Sequence, residues 1–281
     1  MLLLVACGDE GSPPRISSLV TLYPNASAAQ SANDPATTVT PDPLALYDGE
    51  WKTIKPGLEY MALRGRVLSG ADQVEELLLI ARVDPKRIQL QVRYTPDAPQ
   101  RVRTWLEVTQ ADLVINGGFF DEQNAATALV IVDGVATGKS YSGFGGLFAL
   151  RDDTPSTPTL QWLKAKPYTP DPRITYALQG SPMLVHNGGM VQGISDNGAR
   201  SRRSFVAIDT QGRVLFGIGQ YAQWTLTDLA RYLAEVDALQ IQNALNLDGG
   251  GSTGLWIRGT PESLLTDSFD GVPMVVVGIG N

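Results

Sequence analysis

The sequence predicts an α+β fold: strand-rich, mixed or antiparallel sheets with a few helices. Three observations lead there. Glycine and proline are abundant, at 29 and 18 of 281 residues, and cut the chain into short segments. Between those breaks lie apolar or alternating runs of strand length, some joined by Asp-Gly or Asn-Gly turns. Only two stretches space their apolar residues as a helix does. Hydrophobic residues make up 43% of the chain, enough to fill a core. Strands in hairpins with few helices favour α+β over a doubly wound sheet.

In chain order, Leu58 to Leu68 alternates and reads as a strand. Glu76 to Val83 and Arg87 to Tyr94, on either side of Asp84-Pro85-Lys86, read as a hairpin-like pair. Gln100 to Thr109 has helical spacing, and Asp112 to Ile115 is a short buried strand. Leu129 to Val132, the turn Asp133-Gly134 and Val135-Ala136 form a hairpin. Residues 151–173 are rich in Pro and Thr and read as an irregular connection. Pro182 to His186 with Met190-Val191, and Ser204 to Asp209 with Arg213 to Ile218, are further hairpins. Thr227 to Leu239 is the clearest helix: Thr225 or Thr227 can cap it, and Leu229, Tyr232, Leu233 and Val236 share a face. Ala244 to Leu247, Leu255 to Arg258 and Met274 to Ile279 complete the strands.

The chain opens Met1-Leu2-Leu3-Leu4-Val5-Ala6-Cys7. Leu4 to Cys7 resembles a bacterial lipobox, so residues 1–7 are expected to be the remnant of a lipoprotein signal, with Cys7 the lipidated residue. Residues 8–47 are rich in Ser, Ala, Pro and Thr and poor in large apolar side chains, which suits a disordered tether. The folded domain is expected over 48–281. Membrane contact through a lipid anchor implies a place in the cell envelope, outside the cytoplasm. The net charge of −7 argues against nucleic acid as a partner. One His (His186) and one Cys leave no His- or Cys-based zinc site. Asp and Asn could supply oxygen ligands to a divalent metal, but no spacing calls for one, and no cofactor is implied.

Three segments could carry chemistry. Asp248-Gly249-Gly250-Gly251-Ser252-Thr253 follows a buried strand. Its bare glycines let backbone approach a ligand, and successive N–H groups can form an anion nest beside a rigidly held carboxylate. Asn116-Gly117-Gly118-Phe119-Phe120 repeats the layout: Asn116 could orient a hydroxyl or phosphate oxygen, and a Phe could stack on a sugar, although at least one belongs to the core. Arg200, Arg202 and Arg203 cluster before the strand at Ser204; guanidinium forks suit phosphate, and Arg203 is the functional candidate, with the other two expected in solvent.

These segments, in this order, resemble the phosphodiester glycosidase family over about residues 55–280. The resemblance rests on Asn116 to Phe120, Arg203-Ser204, Asp209 with Gly212, the helix Thr227 to Leu239, and Asn243 to Ser252. Ser204 stands where Thr is usual, and Gln223-Trp224 replaces a Gly-hydrophobic pair, which bears on the loop before the helix. The resemblance implies a single catalytic domain that hydrolyses the C1–O bond of sugar-1-phosphodiesters on phosphorylated glycans. Arg203 and the Gly249–Gly251 amides would take the phosphate. Asp248 would be base, nucleophile or oxocarbenium stabiliser, and Asn116 would position substrate. Gly117, Gly118, Phe119, Ser252 and Thr253 complete the expected substrate-binding set. A non-catalytic glycan-binding lipoprotein and a P–O-cleaving phosphodiesterase are the rival readings.

Overall fold

The computed structural model describes residues 46–280 except Phe144. Cys7 and the tether up to residue 45 lie outside the described residues, while Leu46 and Tyr47 pack against the core. No helix among the described residues is long and apolar enough to cross a membrane.

Among the described residues, seventeen strands and two α-helices make an α+β domain, and every ladder is antiparallel. The largest sheet has eight strands. Its order is β1 (Lys52–Lys55), β2 (Leu58–Ser69), β3 (Asp72–Val83), β14 (Val214–Gly219), β13 (Arg203–Asp209), β15 (Ile241–Asn246), β11 (Met183–His186), β12 (Gly189–Met190). A four-stranded sheet runs β16 (Leu255–Ile257), β5 (Leu113–Asn116), β17 (Met274–Gly280), β4 (Ile88–Tyr94). A five-stranded sheet runs β7 (Val135–Thr137), β6 (Val130–Val132), β10 (Ile174–Gly180), β8 (Gly146–Arg151), β9 (Thr159–Trp162).

Period-two alternation decides how these layers stack. Leu58, Tyr60 and Ala62 of β2 turn to one side of the large sheet, with Leu79, Val206, Phe216 and Leu245. There they meet Leu90, Leu113, Ile115 and Val276 of the four-stranded sheet and Val130, Phe148 and Leu178 of the five-stranded one. Phe148 meets Phe216 edge to face at 6.1 Å across that boundary. Met61, Ile80, Phe205 and Ala244 turn to the other side, against Trp224 and the apolar face of α2 (Leu226–Glu235). The helix α1 (Val102–Thr109) covers the outer face of the four-stranded sheet through Val102, Trp105 and Leu106.

Local chemistry sets the element ends. Thr225 and Asp228 form a reciprocal cap on α2, each side chain bonded to the other's N–H at 3.1 Å, which stabilises such ends by about 1 kcal/mol. The β13–β14 turn is tied by Asp209, whose Oδ1 accepts from Gln211 and Arg213 N–H at 2.9 Å. Two expectations fail. The strands at 76–83 and 87–94 do not pair: β3 lies between β2 and β14, and β4 pairs with β17. The turn at Asp84 lifts the chain out of one sheet and into the facing one, so Val83 and Ile88 share the core between them. β8 and β10, for which the sequence predicts no strand, form a buried ladder. The connection at 151–173 also carries β9.

Candidate active site

The strand β15 is paired on both sides, with β13 and β11. Leu247 N–H continues the ladder to Ser204 O at 2.9 Å, and Asp248 N–H then crosses to Gly117 O of the four-stranded sheet at 3.1 Å. Asp248 thus sits where two sheets meet. Asn116, at the end of β5, locks the junction. Its Nδ2 donates to Asp248 O at 2.7 Å, and its Oδ1 accepts from Ser204 Oγ at 2.7 Å and Gly254 N–H at 3.2 Å. The Asp248 side chain is half-buried, and burial pushes its carboxyl above the usual carboxylate range. The Ser252 hydroxyl and the Gly249 N–H, the latter 2.9 Å from Oδ1, pull the other way.

The three glycines after Asp248 are glycine for different reasons. A Cβ on Gly249 would stand 2.7 Å from Arg202 O. Gly250 has φ +59°, and its N–H donates to that same carbonyl at 2.9 Å. A Cβ on Gly251 would stand 3.2 Å from Asp270 Oδ2. The expected nest of three free amides is therefore corrected: Gly249 and Gly250 N–H are spent within the protein, and Gly251 N–H alone of the three has no partner among the described residues.

The basic cluster divides by strand alternation. Arg200 is exposed. Arg202, expected in solvent, is instead buried, since the Ser204 side of the strand faces the junction. Its guanidinium donates to Thr253 O and, at 3.0 Å, to Asp267 O. Burial lowers its proton affinity and the Asp267 charge offsets this. Arg203 lies on the other face, half-buried; its Nη2 donates to Ala199 O at 2.6 Å and its Nε approaches Trp224 O at 3.5 Å. Burial acts on it in the same direction, opposed by Asp196. Its Nη1 has no partner among the described residues.

The first glycine motif departs from expectation. Asn116 is fully buried with both ends of its amide engaged, so its side chain orients the Asp248 backbone. Gly117 and Gly118 are buried against Met274: a Cβ on Gly117 would meet Met274 Cγ at 2.8 Å, and Gly118 N–H points to Met274 Sδ at 3.4 Å. Thr253 is buried too, its Oγ1 3.3 Å from Ser204 Oγ. Phe119 is half-buried, and Phe120 packs beside α1 as a core residue. Of the expected set, Asp248, Arg203, Gly249, Gly250, Gly251 and Ser252 are at least partly open at one strand tip, whereas Asn116, Gly117, Gly118 and Thr253 form its foundation.

A sequence profile described as "Phosphodiester glycosidase" matches residues 109–275, more than half of the chain, and takes in both glycine motifs and Arg203. The chain belongs to the phosphodiester glycosidase family. YigE of Escherichia coli K12, an uncharacterised protein, is 30% identical over 150 residues, which cover 50% of this chain and 56% of that one. The match thus spans little more than half of that relative's length. The zebrafish N-acetylglucosamine-1-phosphodiester α-N-acetylglucosaminidase catalytic domain, solved in a form auto-inhibited by its pro-peptide, superposes with a TM-score of 0.65 at 18% identity, covering 82% of this chain and 86% of that one. A hypothetical protein from Synechocystis superposes with a TM-score of 0.57 at 15% identity, covering 83% and 64%. These two share the fold.

In this phosphodiester glycosidase family member, two site neighbours escape sequence reasoning. Glu76 is buried in β3, and its carboxylate accepts N–H bonds from Leu77 and Tyr221 at 2.9 Å and Gln223 at 2.8 Å. Burial drives its carboxyl upward while those amides oppose the shift. It fixes the loop before α2, and that loop's Trp224 O receives Arg203. Gly65 makes room for the indole: a Cβ there would stand 2.3 Å from Trp224 Cη2. A charge inside an apolar strand was the available signal. The second is Phe269, whose N–H donates to Gly251 O at 2.8 Å. An aromatic within Asp267-Ser268-Phe269-Asp270 marks it only weakly.

Proposed function

We propose that this protein hydrolyses the glycosidic C1–O bond of sugar-1-phosphodiesters on cell-envelope or extracellular glycans. The observation that carries the reading is Asp248: a carboxyl at the tip of a doubly paired strand, half-buried, with an elevated proton affinity and a hydroxyl from Ser252 beside it. A raised carboxyl suits a group that takes a proton from attacking water. In the proposed step water oxygen bonds to C1, its proton passes to Asp248, and the C1–O pair leaves on the phosphate oxygen. A phosphate leaves as a weak base, so the second carboxylate used against ordinary glycosides is less needed. Arg203 Nη1 and Gly251 N–H are the donors proposed to meet the phosphate. Asn116 acts at one remove by holding the Asp248 backbone.

Lipidation at Cys7 and a station on the outer side of the membrane belong to the same proposal, supported by the lipobox-like Leu4 to Cys7. The test is a screen of methyl phosphodiesters of hexose 1-phosphates in ¹⁸O-labelled water, with and without chelator. Label in the sugar, with inversion at C1, is the expected result. Retention would make Asp248 the nucleophile. Label in phosphate would replace the reading with P–O cleavage, and absence of turnover across the panel would leave a glycan-binding protein.

A further inference from the structure

We propose that Phe269, with Asp270 beside it, is the wall against which the sugar ring rests; this deepens the hydrolase reading by assigning the sugar side of the site. Phe269 is 65% exposed although it is a large apolar ring. Single exposed hydrophobics are common and need no explanation by themselves. Leu68 and Val135 are similarly exposed, at 64% and 68%, but neither is tied to the glycine loop. Phe269 is tied twice. Its N–H bonds Gly251 O at 2.8 Å, and the Arg202 guanidinium lies 4.3 Å from its ring centroid. Arg202 is itself fixed by Thr253 O and Asp267 O, so the cation cannot swing away. One ring face is thereby covered and the ring is held in place before any ligand arrives.

The position is close to the reactive carboxyl along the chain of contacts. Ser252 bonds the Asp248 side chain, Gly251 precedes it, and Phe269 bonds Gly251. A pyranose presents a face of C–H groups, which stacks on an aromatic ring, and a rim of hydroxyls, which need acceptors. Asp270 supplies an exposed carboxylate pressed towards Gly251, 3.2 Å from where a Cβ would stand. That charge also sets the direction of the substrate. Arg202 is buried behind the ring and donates to Thr253 O and Asp267 O, so a phosphodiester meets the exposed Asp270 on this side and the open Nη1 of Arg203 on the other, and the neutral ring takes the Phe269 side.

The test uses the full chain and two probes, a hexose 1-phosphate and inorganic phosphate, titrated by calorimetry. Phe269→Ala and Phe269→Tyr should both fold as the wild type does, because the side chain is largely in solvent. Phe269→Ala is expected to weaken hexose 1-phosphate binding by about tenfold, as loss of an aromatic contact does, and to leave phosphate unchanged. Phe269→Tyr should stay within about twofold of wild type for both probes. Equal binding of the sugar phosphate by Phe269→Ala and wild type, an equal loss for both probes, or no ring-dependent affinity in the wild type would overturn the platform. Turnover of phosphodiesters by the same preparation would then leave the hydrolase reading standing, so the two failures are distinguishable.

Discussion

The segments 116–120 and 248–252 look alike as strings: a buried strand, a polar residue, glycines. Their structures differ. After Asn116 the glycines are buried against Met274, and the Asn side chain disappears into a network with Ser204 and Gly254. After Asp248 the glycines stay partly open, and the carboxyl, though largely buried, keeps an opening to solvent. A glycine-rich strand end reports close approach of backbone, and the partner can be protein or ligand. Here the first segment is the footing and the second is the open edge, the proposed working edge.

The largest effect should come from the working edge. Asp248→Asn is expected to lower turnover of a sugar-1-phosphodiester by about a thousandfold or more while moving the melting temperature by less than about 3 °C. A variant with near-wild-type turnover would remove Asp248 from the chemistry. Next comes the footing. Asn116→Ala strands the Ser204 hydroxyl, Gly254 N–H and Asp248 carbonyl, and should cost about 3 kcal/mol, or roughly 6–12 °C in melting temperature for a domain of this size. If calorimetry finds it as stable as wild type, the lock at the sheet junction is wrong.

The glycines sharpen the same contrast at smaller scale. Gly117→Ala forces a methyl onto Met274 and should destabilise by about 1–3 kcal/mol in urea unfolding. Gly251→Ala meets only the far end of the exposed Asp270 side chain and should cost less than about 1 kcal/mol. Equal costs would erase the distinction between buried and open glycines.

The smallest effect is electrostatic. The Asp248 carboxyl sits above its unfolded-state value, so between those two values the native protein holds more protons than the unfolded chain. Stability must then fall as pH rises through that window, and stay flat beyond it. Subtracting the Asp248→Asn curve from wild type should isolate this decline and leave aside the same-signed contribution of Glu76. A rise with pH in the difference curve would contradict the burial of Asp248. Activity should climb over the same window if Asp248 works as a base.

Much of the fold was legible because it is written locally. The β13–β14 hairpin follows from Asp209 and Gly212, and α2 from Thr225 and its apolar face. The pairing of β4 was not, since Ile88, Leu90 and Val92 alternate equally well for either neighbour, and the choice of β17 depends on residues nearly two hundred positions away. The site divides in the same way. Asp248 and its glycines announce themselves by type and order. Which of Arg202 and Arg203 is buried turns on which face each occupies, and that is set by packing of Ser204 against Asn116. The exposed Phe269 could not be distinguished from any loop aromatic until its contacts with Gly251 and Arg202 were seen.

The double pairing of β15 separates what is anchored at the strand tip from what can be remodelled around it. Asp248 is moored to an inner strand of the largest sheet, whereas the segments at 219–224 and 267–270 reach it from outside that strand. Rewriting those two outer segments would change what surrounds the strand tip while the Asp248 backbone keeps its coordinates.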